Sequence, residues 1–292
     1  MNRILCLLCC LLFGFTTLSA QSFSGGFKAG LNFSTLSGGE IETDNNGSEV
    51  EEFGFNTGFH IGAAFNLKLT DNFGFRAEFL FNQKGTDYSF DGPSYWIFGP
   101  ATSSPVIGVG TRVTDLKISN TYLDIPLMAY VQLGRVELSG GLNAAVMISS
   151  RGTGESTFNG QTLNGSTIGL FTVNLNHNYY SDDPGQAKSD IMEQVSIGGS
   201  TIEIPSSIGA YYFRSDVEDN LFDRLDFGVV AGIGFFLNRG LYLGFRANWG
   251  LPDVTKSAAD ISNVRLDTQQ TFVTRDDKDK NLSLQASIGF SF

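Results

Sequence analysis

Ten ionisable side chains fall at alternating positions within apolar segments: Lys28, His60, Lys68, Arg76, Glu78, Lys84, Asp124, Glu137, Asp226 and Arg246. Residues of these types could do three kinds of work. Facing one another across an interior, they would neutralise each other, because a buried charge must find a partner or change its protonation state. Around a continuous water-filled gap, they would make a proton or small-ion path. With a nearby nucleophile, the histidine could serve a hydrolase. Tyr122, Tyr130 and Tyr242 share the polar faces and fill space, which favours the first reading. The second histidine, His177, stands beside Asn176, Asn178 and Tyr179, with Asp182 and Asp183 nearby. Proximity in sequence is not triad geometry, and no catalytic residue or enzymatic activity is expected. No ATP, nicotinamide or haem motif occurs, so no cofactor is expected either.

A second acidic set lies between the alternating segments. Glu40, Glu42, Asp44, Glu49, Glu51 and Glu52 fall together without a base, and Asp276, Asp277 and Asp279 cluster around Lys278. Calcium takes several oxygen ligands from flexible loops. However, Asp44-Asn45-Asn46-Gly47 lacks the full EF-hand spacing, so a solvated negative surface is the reading adopted and no metal site is assigned. The 292 residues carry a formal charge of −11, which argues against a nucleic-acid partner, whose recognition needs a basic patch.

The elements that position these residues follow a period of two. Residues 23–33 set Phe23, Phe27, Ala29, Leu31 and Phe33 against Ser24, Lys28 and Asn32. The same alternation returns in 55–69, 73–84, 123–133, 136–148, 225–237, 241–251 and 282–292. Period two is a strand with one apolar and one polar face. Eight such segments are each long enough for a tilted strand to cross a bilayer, whereas strands of soluble sandwiches are usually shorter.

The connections alternate too. Residues 70–72, 134–135 and 238–240 are short links; 34–54, 85–122, 149–224 and 252–281 are long ones. Outer-membrane barrels pair short periplasmic turns with long extracellular loops. The expected fold is therefore all-β, a closed antiparallel up-and-down transmembrane β-barrel of 8 strands. Ten strands is the alternative, using 167–178 and 191–204 as two more. Residues 193–197 and 201–204 flank Gly198-Gly199-Ser200 and predict a hairpin, so the long link 149–224 is expected to be structured and is the candidate surface for a protein partner. Register is pinned by cost: a one-residue slip exchanges the faces of a strand. It would push Arg76 and Lys84 into lipid, at roughly 2–4 kcal/mol for each near the midplane.

Residues 1–20 read as a signal peptide, with Arg3 ahead of an apolar run to Phe15 and a small residue, Ala20, at the expected cut. Cys6, Cys9 and Cys10 all lie within it, so the mature domain, 21–292, holds no thiol for a disulfide or metal site. Pro126 inside a strand predicts a nearby bulge. Trp249, Tyr95, Trp96, Tyr179, Tyr180, Tyr211 and Tyr212 suit an interfacial girdle or a binding face.

At Tyr122-Leu123-Asp124-Ile125-Pro126-Leu127 the sequence resembles the PorT-like outer-membrane β-barrel family of diderm bacteria. The Ala20-Gln21 junction, the Gly-rich opening Gly26-Phe27-Lys28-Ala29-Gly30-Leu31-Asn32 and the closing Gly289-Phe290-Ser291-Phe292 carry the same likeness. The resemblance implies an outer-membrane barrel. It also implies that the strand ending in Phe292 is read by the barrel-insertion machinery, with outer-membrane lipid as the surroundings. It implies no catalytic residue. The alternative roles are a narrow pore or a transport- or secretion-associated barrel; a membrane-embedded hydrolase comes last.

Overall fold

The computed structural model describes residues 22–100, 102, 104–214 and 220–292; the expected leader lies outside them. The strands are β1 (Ser22–Ser37), β2 (Glu51–Gly54), β3 (Asn56–Lys68), β4 (Phe73–Phe98), β5 (Val106–Leu133), β6 (Val136–Thr162), β7 (Thr167–Asn178), β8 (Met192–Ile197), β9 (Ser200–Pro205), β10 (Ser207–Ile208), β11 (Leu225–Phe236), β12 (Leu241–Gly250), β13 (Ile261–Leu266), β14 (Phe272–Thr274) and β15 (Lys280–Ser291).

Antiparallel pairing runs β1–β3–β4–β5–β6–β11–β12–β15 and returns to β1 through Phe27↔Phe290 and Leu31↔Ala286. The ring therefore has eight members, one for each alternating segment, and every backbone edge in it has a neighbour. Phenylalanines dominate its outer face: Phe27, Phe65, Phe79 and Phe245 are 63%, 45%, 50% and 60% exposed, while the polar face turns inward. Residues 167–178 do form a strand, β7, but neither it nor β8 enters the ring.

The long links differ from loops. β4, β5 and β6 are 26, 28 and 27 residues long. At about 3.3 Å per residue, each spans far more than the ~30 Å hydrocarbon core. Their far halves stay paired out to Phe98↔Val106 and Gly108↔Thr162. There they carry β2 on one flank and β7, β8 and β9 on the other. We call this extension the hood.

Side-chain chemistry inverts between the two parts. Along β4 the even-numbered residues face inward throughout. Below they are polar (Arg76, Glu78, Asn82, Lys84), and above they include Phe90, Trp96 and Phe98, buried to 1%, 1% and 4% exposure. The odd face changes from Phe75, Phe79 and Phe81 to Asp87, Ser89 and Asp91. The barrel is thus apolar outside and the hood apolar inside. β6 shows the same inversion with a shift of phase. Its partners move from Tyr122↔Met147 to Thr121↔Ser149, leaving Ile148 as one extra residue. A bulge of one residue exchanges the faces of the strand beyond it, so Met147 is buried from the odd face and Ser150, Ser156 and Phe158 from the even one. At Pro126 itself the register does not slip: Ala77↔Leu127 and Leu80↔Asp124 keep the same offset, and only the pairs between them drop out of the ladder. The irregularity expected there lies instead at Thr121–Tyr122, against β6.

Candidate functional site

Period-two alternation drives the inward polar residues of eight strands into one narrow lumen, where they meet in layers. Nearest the short turns, Arg76 donates from Nη1 and Nη2 to the two Glu137 oxygens at 2.7 and 2.8 Å, and from Nε to Asn66 Oδ1 at 2.6 Å. The Tyr130 and Tyr242 rings lie 5.2 and 5.8 Å from its guanidinium. In the next layer Glu78 accepts from Arg246 Nη1 at 2.7 Å and from Lys28 Nζ at 3.3 Å, and Arg246 also donates to Gln285 Oε1. Above it Lys84 Nζ stands 3.2 Å from Asp124 and 3.7 Å from Asp226, with the Tyr122 ring centre at 4.6 Å. Four bases and four acids are thereby matched, each with 8% exposure or less.

His60 Nδ1 shares a hydrogen bond with Asn32 Oδ1 at 2.7 Å. Asn32 Nδ2 donates to Asn82 Oδ1, and Asn82 Nδ2 to Asp124 Oδ2. The imidazole is held through amides to the carboxylate layer and lies well away from solvent. Of the expected lumen residues, Lys68 is the exception. Its side chain is 40% exposed and pairs at 3.4 Å with the fully exposed Asp71 in the adjoining turn, so it belongs to the rim. The strand is ending there, and a long lysine reaches water more cheaply than it enters a crowded lumen.

The hood encloses a second constellation. The aromatic residues read as a girdle or binding face divide: Trp249 is 46% exposed on the barrel exterior, whereas Tyr95, Trp96, Tyr179, Tyr211 and Tyr212 are buried in the hood. Trp96 packs edge-on against Phe171 and Phe213, each 4.9 Å between ring centres. The acids between strands are not all solvated. Glu51 is buried and holds Arg275 at 2.8 Å, and Glu42 accepts from the backbone amide of Asn263 at 3.0 Å, so the first link is clasped to the β13–β14 hairpin. Asp44 accepts from the amides of Asn46 and Ser48, both at 2.8 Å, closing its own turn. Carboxylate oxygens of Asp260, Asp277 and Asp279 converge within 4.8 Å of one another. Protein donors serve two of them, Arg275 on Asp277 at 2.6 Å and Thr255 on Asp279 at 3.2 Å. Burial and the neighbouring Asp277 push Asp260 up to about 8, and burial with Asp277 pushes Asp279 up to about 6. The arrangement is suited to holding a proton. His177 hydrogen-bonds the Tyr179 hydroxyl at 3.2 Å, and burial pulls it down to about 4.

The sequence matches the model of the outer membrane protein beta-barrel domain family over residues 19–256. The chain belongs to this family. It is an outer-membrane protein, and the eight-membered ring with its phenylalanine exterior is the physical form of that assignment. No curated protein matches it. Among solved structures it is similar to Ail of Yersinia pestis, at 9% identity and TM-score 0.35 over 92% of this chain and 98% of that one. It is also similar to the neisserial surface protein A, at 11% and 0.34 over 93% and 99%. A third is OprG of Pseudomonas aeruginosa, at 11% and 0.35 over 92% and 96%.

Proposed function

We propose that this outer-membrane protein is a closed, non-conducting transmembrane barrel of the PorT-like type, whose hood is a rigid interaction surface on the outer face of the cell. The observation that carries the reading is the matched lumen. Four acids and four bases fill it in successive layers with Tyr122, Tyr130 and Tyr242 between them, and an eight-stranded ring is only wide enough for side chains to fill. Folding three strands far beyond the bilayer makes sense for a protein that presents a surface. Within 149–224, Leu170 and Ile191 are 73% and 69% exposed on the hood, away from the ring, and would be contact points for a protein partner. The strand ending in Phe292 would be read by the insertion machinery. The chain is proposed to act without catalysis.

Single-channel recording in planar bilayers tests the lumen: silence supports the reading, and steady open steps would make it a narrow pore. Orientation is tested by single cysteines at Asp183, Ser200 and Asp71, all exposed, labelled on intact cells with an impermeant maleimide. Labelling at the first two with protection of the third is expected, and the reverse pattern would invert the protein.

A further inference from the structure

The hood encloses a cavity of ≈ 200 Å³ whose walls are mainly aromatic and aliphatic, among them Phe53, Trp96, Leu116, Phe213 and Phe222. Arg112 of β5 lines the same cavity and is only 6% exposed. Asp260 and Asp279 also line the cavity, but they lie with Asp277 around Arg275; a buried cation ordinarily has an acid against it. Among the described residues, Arg112 has no carboxylate within ion-pair distance. Its Nη1 donates to Asn263 Oδ1 at 3.1 Å and Nη2 to the Tyr95 carbonyl, both neutral acceptors. Its Nε is buried with no acceptor at all. The Tyr95, Trp96 and Phe213 rings lie 5.4, 5.5 and 5.4 Å from the guanidinium carbon, which eases the charge through the ring faces without neutralising it. Glu42 acts on Arg112 through space, without an ion pair, and itself accepts from the Asn263 amide. A second guanidinium, that of Arg214, lines the cavity too, and its Nε also has no acceptor. The lumen of the same protein offers a direct contrast, since each buried lysine and arginine described there has its acid.

We propose that the hood cavity binds a small amphipathic monocarboxylate, its apolar body against Trp96 and Phe213 and its carboxylate on Arg112. The volume is below the ~300–1,000 Å³ of sites for drug-sized ligands, which limits the body to one aromatic ring or a short aliphatic chain. A carboxylate against the guanidinium supplies the missing charge in a charge-assisted bond. The cavity lies in the hood and none of the paired lumen charges lines it, so the inference stands whether or not the lumen conducts.

The chain has two tryptophans, Trp96 and Trp249. The Trp249→Phe variant therefore leaves Trp96, in the cavity wall, as the sole reporter. The full mature protein in lipid nanodiscs is titrated with 3-phenylpropionate and, separately, with the uncharged 3-phenylpropionamide. The expected result is a saturable change in Trp96 emission with the acid and binding at least about tenfold weaker with the amide, a charge-assisted bond being lost. Arg112→Gln is expected to bring the acid down to the amide's affinity. The proposal is overturned by no saturable change with the acid, by equal affinities for acid and amide, or by an Arg112→Gln protein of unchanged melting temperature that binds the acid as before. Should Arg112→Gln not fold, the acid–amide comparison on the intact cavity decides.

Discussion

Replacing Glu78 with glutamine keeps the shape of the lumen and removes one charge. In the native layer that carboxylate serves Arg246 at 2.7 Å and Lys28 at 3.3 Å, all three nearly inaccessible to solvent. With glutamine there, two like charges face each other with no acid in their layer. Breaking a buried pair by removing one partner costs about 3–5 kcal/mol. At an m-value of about 2 kcal/mol/M in urea, the unfolding midpoint in lipid vesicles is expected to fall by about 2 M. Adding Lys28→Met removes a base as well and returns the layer to its native net charge, so the double variant should recover at least half of the loss. A midpoint change under about 0.5 M for Glu78→Gln alone would refute the reasoning. It would mean that water screens the layer, and a lumen that wet could also conduct.

Three further outcomes follow from the geometry. Gly30 faces His60 across β1 and β3, and a methyl there would come within 2.7 Å of His60 Cε1 and crowd the Ala286 carbonyl; Gly30→Ala should therefore cost about 1–3 kcal/mol as overpacking, read as a lower melting temperature. Asp260 keeps its proton to about pH 8 in the folded hood but only to about 4 when unfolded. The folded state binds the extra proton, so Asp260's own contribution to hood stability is fully present below about pH 4 and is lost as pH rises toward 8; Asp260→Asn should flatten that alkaline slope in Trp96-monitored melts of the Trp249→Phe protein. His177 has the opposite sign: its contribution is present above about pH 6.5 and is lost as pH falls toward 4, and His177→Gln should remove that acid limb.

The ring was legible because the bilayer enforces the alternation. A strand with lipid on one side and a packed polar lumen on the other cannot place Arg76 or Phe79 otherwise, and all eight segments lie in ring strands. The hood was far less so. Beyond Lys84 the even face of β4 turns apolar while the odd face turns polar, so a search for one fixed pattern ends at the boundary and reads a long link. In β6 the extra Ile148 breaks the period outright, which is why the alternation stops at residue 148 although the strand runs to Thr162. The lumen charges could be named from parity alone, except Lys68, whose place at the strand end lets it turn outward. Arg112 could not: it sits in a mixed stretch, Gly110-Thr111-Arg112-Val113-Thr114, and only the folded hood reveals what surrounds it. The clasp of Glu42 and Glu51 onto the β13–β14 hairpin joins segments more than two hundred residues apart, a relation that no local pattern carries.

Because β4, β5 and β6 run unbroken from the bilayer into the hood, the hood joins the barrel without a hinge. A partner pulling on the hood would load these strands along their length. Their interstrand hydrogen bonds lie across that direction, so many must share the force at once instead of opening one after another like a zip. The continuous strands make the molecule a stiff mooring post, in which tension applied to the hood is borne by the whole height of the barrel wall.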